Sequence, residues 1–332
     1  MGNTADFLAS LPEPIRNPNN CYAEKLAGIP YSYGYRPSLA AGVSFIVLFA
    51  FAVVYHLVLS HNKKRWASVA LAYGAATEMI GWIGRTWGSQ CPYNQHAYLM
   101  QMIPLTIAPV FFTAALYMLL GQLIQVSGPE SSVLPARLYT IVFLTSAFLS
   151  LLIQLVGGAV TASASSKGEV TPAGVNTIVA GLVFQLATMV VFAGLAVDFL
   201  RRISSSRSSS IGGGGGGRSL KNYYTVLAAL FISLTCIVVR SLFRVVELTW
   251  MGPSMLHERN FVALDAFLMV AAVWVFIILD PARIIDQNAD LLPPPAAHQS
   301  SLGKEVEEEE VEGGRGSSSN EGKGYSVQHH AY

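Results

Sequence analysis

Residues 240–250 read "RSLFRVVELTW" and place Arg240, Arg244 and Glu247 at the end of an otherwise apolar run. On a helix these three side chains fall within an arc of about 60°. A second apolar stretch, "ATEMIGWIGRTW", holds Glu78 and Arg85 seven residues apart, again on one helical face. A third, "NFVALDAFLMV", holds Asp265. Carboxylates and guanidiniums in such surroundings pair with one another or bind an ion or a polar headgroup. An ionised group at the centre of a bilayer costs about 2.5–3.5 kcal/mol on insertion scales, so each of the six demands a partner. Their charges balance, with three arginines against three acids.

The elements that carry them must be membrane helices. The chain is 52% hydrophobic and 12% charged over 332 residues, whereas a soluble domain carries about 25% charged residues. The apolar residues fall in blocks of the length, about 20 residues, that crosses a bilayer. The pattern predicts an all-α integral membrane protein, a bundle of seven transmembrane helices at about 38–59, 67–86, 97–125, 136–160, 172–199, 223–248 and 260–280. Pro37, Pro135 and Pro172 stand at span starts, where the missing N–H is not needed. Lysine and arginine crowd the loops after spans one and five, as Lys63, Lys64 and Arg65 and as Arg201, Arg202, Arg207, Arg218 and Lys221. Basic loops stay cytoplasmic, which predicts the N-terminus outside and the C-terminus inside. The domain plan is then an extracellular segment 1–36, a seven-helix domain 37–281 and a disordered acidic cytoplasmic tail 282–332.

In that orientation Glu78, Arg85, Arg240, Arg244, Glu247 and Asp265 all fall in the outer half of the membrane, at depths shared by Gln101 and Gln154. Three readings follow from the residues. The charges form a buried salt-bridge lattice that fixes helix register, or they line a polar site for a headgroup or charged solute. The third reading has Arg85 and Glu247 reaching to the interface as snorkelling side chains. The first two overlap, because a binding site can use structural ion pairs. Pro104 and Pro109 in span three each remove a backbone hydrogen bond and predict a helix kink. Gln185 falls near mid-membrane as a candidate pathway residue, and His56 falls near the inner interface. Cys21 and Cys91, both expected outside, can form a disulfide or remain free thiols, whereas Cys236 lies within span six. The segment 204–217, "SSSRSSSIGGGGGG", reads as a flexible loop. The acidic tail is a candidate contact for a cytoplasmic partner, although a plain solvated tail is the simpler reading.

Catalysis is not indicated. Only His56 of the seven histidines lies in a span, so no metal site, catalytic set or cofactor site is expected. No phosphate-binding loop is present, and a formal net charge of +1 without a basic stripe argues against nucleic acid. A receptor of the large seven-span class is disfavoured, because the inner ends of spans three and seven read "LLGQLIQ" and "ILDPARII" without that class's switch motifs. The partners expected are membrane lipids and an amphiphilic substrate.

Over residues 31–284 the chain resembles the fungal RTA-like, lipid-translocating exporter family. The resemblance rests on "YGYRPS" before span one, on Glu78-x-x-Gly81-Trp82-x-x-Arg85, and on Gln101 followed by Leu105, Ala108-Pro109 and Tyr117. It continues with Arg240-x-x-Phe243-Arg244-x-x-Glu247, Glu258, Asp265 and Met269, and a proline at the inner end of span seven. Asp280-Pro281 departs from the His-Pro expected there. The resemblance implies seven spans, a plasma-membrane location and export of lipids such as sphingoid long-chain bases, or of toxic amphiphiles. The competing expectation is a seven-span lipid or stress sensor that alters tolerance by signalling.

Overall fold

In the computed structural model, the described residues are 21, 35–63, 65–127, 135–166, 172–208, 216–249 and 258–280. They form seven long helices and no strand: α1 Leu39–Lys63, α2 Trp66–Gln90, α3 Gln95–Ser127, α4 Ala136–Ser166, α5 Pro172–Ser208, α6 Gly216–Thr249 and α7 Glu258–Leu279. Apart from Cys21, Tyr35 and Arg36, the segment 1–36 lies outside the described residues, and so does the tail 282–332. The helices outrun the apolar blocks. α5 continues through Ser208 and α6 begins at Gly216, so residues 204–208 and 216–217 of the segment expected as a loop are helical, and 209–215 lie outside the described residues. Serine and arginine are adequate helix residues once an apolar helix has nucleated, and they extend it past the hydropathic boundary.

Local chemistry sets several ends. Pro172 occupies the first turn of α5, where its missing N–H is harmless. Asn94 caps α3, accepting the Ala97 N–H on Oδ1 at 3.0 Å. Asp280 ends α7 in the left-handed region at φ 34°, where short polar side chains are tolerated, and its N–H donates to the Phe276 carbonyl.

Neighbouring helices pack in chain order, and α1 closes the ring on α7. α3 runs through the middle, reaching α5, α6 and α7 as well as its neighbours, and is the most buried of the apolar helices. The outside is apolar: Val47, Val54, Phe267 and Ile278 are all more than half exposed. An apolar belt of this extent has no place in water and marks a lipid-facing surface. Six helices are long and apolar enough to cross a membrane, and α2 is the exception. Its glycines explain its tight seat on α3. A Cβ at Gly84 would lie 2.7 Å from the Gln101 nitrogen, and one at Gly81 would lie 2.5 Å from the Leu105 side chain. Small residues thus bring the polar helix against the central one.

Candidate functional site

α2, α6 and α7 deliver the charges to the interior. Asp265 is the hub. It accepts Arg244 on both oxygens, Nε to Oδ1 at 2.8 Å and Nη2 to Oδ2 at 3.3 Å, and its Oδ1 pairs with Arg240 Nε at 3.0 Å. Arg244 also donates to Glu247 Oε2 at 3.0 Å, one turn along α6. Arg240 reaches Glu78 on α2 at 3.4 Å. Glu78, Arg240 and Asp265 are fully buried.

Two backbone irregularities fit this arrangement. Pro109 has no N–H, which leaves the Leu105 carbonyl without its helical donor. Arg240 Nη2 supplies that donor. Both prolines lie inside a continuous α3, so the defect expected as a kink also serves as an acceptor for the buried arginine. Asp265 sits within a π-helical segment of α7, Val262–Phe267, a wider turn that is common at functional sites.

Arg85 does not join this group. Its Nη2 pairs with Glu258 Oε1 at 3.2 Å and donates to the Tyr35 hydroxyl at 3.0 Å, while Nη1 donates to Gln101 Oε1 at 3.4 Å. Glu258 Oε1 also accepts the Ser38 N–H at 2.7 Å. Burial pushes the Tyr35 phenol above its ordinary range, against the pull of Arg85. The Phe261 ring separates the two groups, with the Arg85 guanidinium carbon 4.5 Å from its centroid and that of Arg244 5.2 Å. The disulfide Cys21–Cys91 ties the N-terminal segment to the end of α2.

The balanced set of six therefore becomes two unequal groups. Arg85 leaves for Glu258, and the core keeps Glu78, Glu247 and Asp265 against Arg240 and Arg244, one negative charge in excess when all are ionised. Arg85 is 1% exposed, so it does not snorkel, and Glu247 is held by Arg244. Gln154 and Gln185 stand apart from the charges. Gln154 Nε2 donates to Gln185 Oε1 at 3.0 Å and to Ser150 Oγ at 2.9 Å, joining α4 to α5. His56 is buried, beside Ser68, Phe276 and Asp280. Glu258, Tyr35 and Phe261 were not among the candidate site residues. The first two stand next to chain segments that hydropathy assigns to loops, and Phe261 looks like any other core aromatic.

The carboxylates are not equally satisfied. Glu78 is the least satisfied of them: apart from Arg240 only the Trp82 indole N–H approaches it, and neither donor meets its oxygens at full hydrogen-bond geometry, while Arg240 Nε and Nη1 also lack a well-aligned acceptor. An unsatisfied buried polar group costs about 1–3 kcal/mol, more when charged. A bound cationic group with N–H donors would recover that energy at Glu78 and cancel the excess charge.

An all-helical bundle that is apolar outside and charged within defines a multi-pass membrane protein. Residues 71–288 match the family described as RTA1 like protein, and the chain belongs to that family. The sphingoid long-chain base transporter RSB1 of Saccharomyces cerevisiae is 29% identical over 327 residues, covering 89% of this chain and 82% of that protein. Protein RTA1 of the same yeast is 27% identical over 277 residues, covering 75% and 84%. Protein RTM1, also from Saccharomyces cerevisiae, is 30% identical over 215 residues, covering 64% and 66%. No solved structure matches the chain.

Proposed function

We propose that this protein is a seven-span, non-enzymatic transporter that moves a cationic amphiphile, a sphingoid long-chain base, toward the outer leaflet. Its N-terminus is outside, its C-terminus is cytoplasmic, and its location is the plasma membrane. The observation that carries the reading is Glu78, a fully buried carboxylate whose single ion-pair partner is 3.4 Å away and whose one other nearby donor, the Trp82 indole N–H, is poorly aligned. The ammonium of a sphingoid base is a cation with N–H donors, which is what this carboxylate lacks. Asp265 and Glu247 are committed to arginines and hold the frame. The kinship with a sphingoid-base transporter supports the same cargo.

The test is reconstitution of the purified protein in liposomes with a fluorescent sphingoid base. Movement of the base between leaflets without any other protein is expected. Binding without movement would overturn the transport reading in favour of a sensor that signals through its cytoplasmic loop and tail.

A further inference from the structure

α2 and α7 hardly approach each other along their backbones, although both pack on α1 and both touch α3. They face each other across the interior. Long side chains bridge the gap at three depths. At one end Arg65 Nη1, just before α2, pairs with Asp280 Oδ1, just after α7, at 3.3 Å. At the other end Arg85 pairs with Glu258 at 3.2 Å. Between them Arg240 of α6 touches Glu78 of α2 and Asp265 of α7. Arg65, the residue that precedes α2, and Arg85 within it are twenty positions apart, about 30 Å at a rise of about 1.5 Å per residue. That is the thickness of a bilayer's hydrocarbon core.

The two end bridges share a design. Each buries its arginine, at 7% and 1% exposure, and leaves its carboxylate partly exposed, at 23% and 28%. The carboxylate of each bridge reaches the rim and can take up water, whereas its buried arginine must be rehydrated or re-paired for the bridge to open, which holds each bridge shut at rest. The middle bridge has no such outlet, since all three of its residues are fully buried. The π-helical turn next to the outer bridge gives α7 a segment able to shift its register.

We infer that the space between α2 and α7 is the path of the cargo headgroup, and that Arg65–Asp280 and Arg85–Glu258 are its inner and outer gates. Both are closed here, with Glu78 sealed between them. The headgroup meets Glu78 from one side when one gate opens and leaves when the other does. This inference rests on the transport reading above and adds to it where the cargo passes and which contacts give way.

The experiment uses Ser68→Cys. Ser68 is buried and lines a small cavity with Phe276 and Asp280, just behind the inner gate. In a Cys236→Ser background it is the single free thiol among the three native cysteine positions and the probe, because Cys21 and Cys91 are paired. A membrane-impermeant maleimide is applied to the cytoplasmic face of vesicles. Asp280→Asn is expected to speed labelling about tenfold by raising the population of the open gate, and Glu258→Gln to leave it unchanged. If Asp280→Asn fails to fold, Arg65→Gln opens the same gate from α2. Equal labelling in Asp280→Asn and its parent, or equal acceleration by Glu258→Gln, overturns the gates. Labelling needs no cargo, so this failure stands apart from a failure of liposome transport.

Discussion

Replacing Glu78 and Asp265 by their amides, one at a time, separates a ligand carboxylate from a structural one. The two groups are equally buried and both face arginine, so charge and burial alone predict equal damage. Their bonding predicts otherwise. Asp265→Asn weakens two charge-assisted hydrogen bonds from Arg244 and the ion pair with Arg240. Breaking a buried pair in this way costs about 3–5 kcal/mol. Glu78→Gln removes one ion pair at 3.4 Å and keeps an amide oxygen for the Trp82 indole N–H. It also removes the excess negative charge from the core, and relief of that desolvation offsets the lost attraction. The net change is expected within about 1 kcal/mol of zero. Thermal unfolding in detergent, surface expression and sphingoid-base release are measured on all three proteins. Asp265→Asn should unfold early, whereas Glu78→Gln should fold, reach the surface and fail to release base. A Glu78→Gln protein as unstable as Asp265→Asn would make Glu78 another strut of the lattice. A stable one with normal release would remove it from the cargo site.

Pro109→Ala gives the Leu105 carbonyl a helical donor that competes with Arg240. Release should fall while surface expression holds, and unchanged release would mean that this contact does not tune the site. Gly84→Ala drives a Cβ against backbone atoms of Met100 and Gln101 at 2.7 Å. It should cost about 1–3 kcal/mol in thermal unfolding. Gly194→Ala meets nothing within 4 Å and should be neutral or stabilising by up to about 1 kcal/mol. Cys91→Ser frees Cys21, so maleimide should label two thiols in the denatured protein instead of one. Loss of the cross-link should cost about 2–5 kcal/mol, and reductant should no longer lower the unfolding temperature.

The all-helical class, the approximate helix ends and the presence of buried charge were legible because hydropathy is a local property. Arg240, Arg244 and Glu247 share a face by helical arithmetic, and that part needed no fold. Which acid meets which arginine depends on helix order and rotation, and neither is written in a single span. Arg85 shows the difference. It shares a helical face with Glu78, yet it turns to Glu258 at the very start of α7, a residue that hydropathy places in the preceding loop. Leu105 shows another. Pro109 announces a free carbonyl four residues back, but only the packing of α6 on α3 reveals that an arginine takes it. The π-helical turn around Asp265 has no periodic signature within six residues and was invisible to spacing arguments.

The modest apolarity of α2 bears on how the protein is made. Glu78 and Arg85 emerge from the ribosome long before the residues that neutralise them. The Arg85–Glu258 pair spans 173 residues of chain. At about 5–20 residues per second, α2 waits roughly 9–35 s for its partners. During that interval the membrane insertion machinery meets a helix whose unmatched charges Glu78 and Arg85 stand beside its glycines Gly74 and Gly81. Glycine contact with α3 is the first support available to it, since α3 follows α2 directly. Assembly should therefore proceed from an α2–α3 hairpin outward, and variants that loosen that hairpin should be caught by quality control in the endoplasmic reticulum before any defect in transport can be observed.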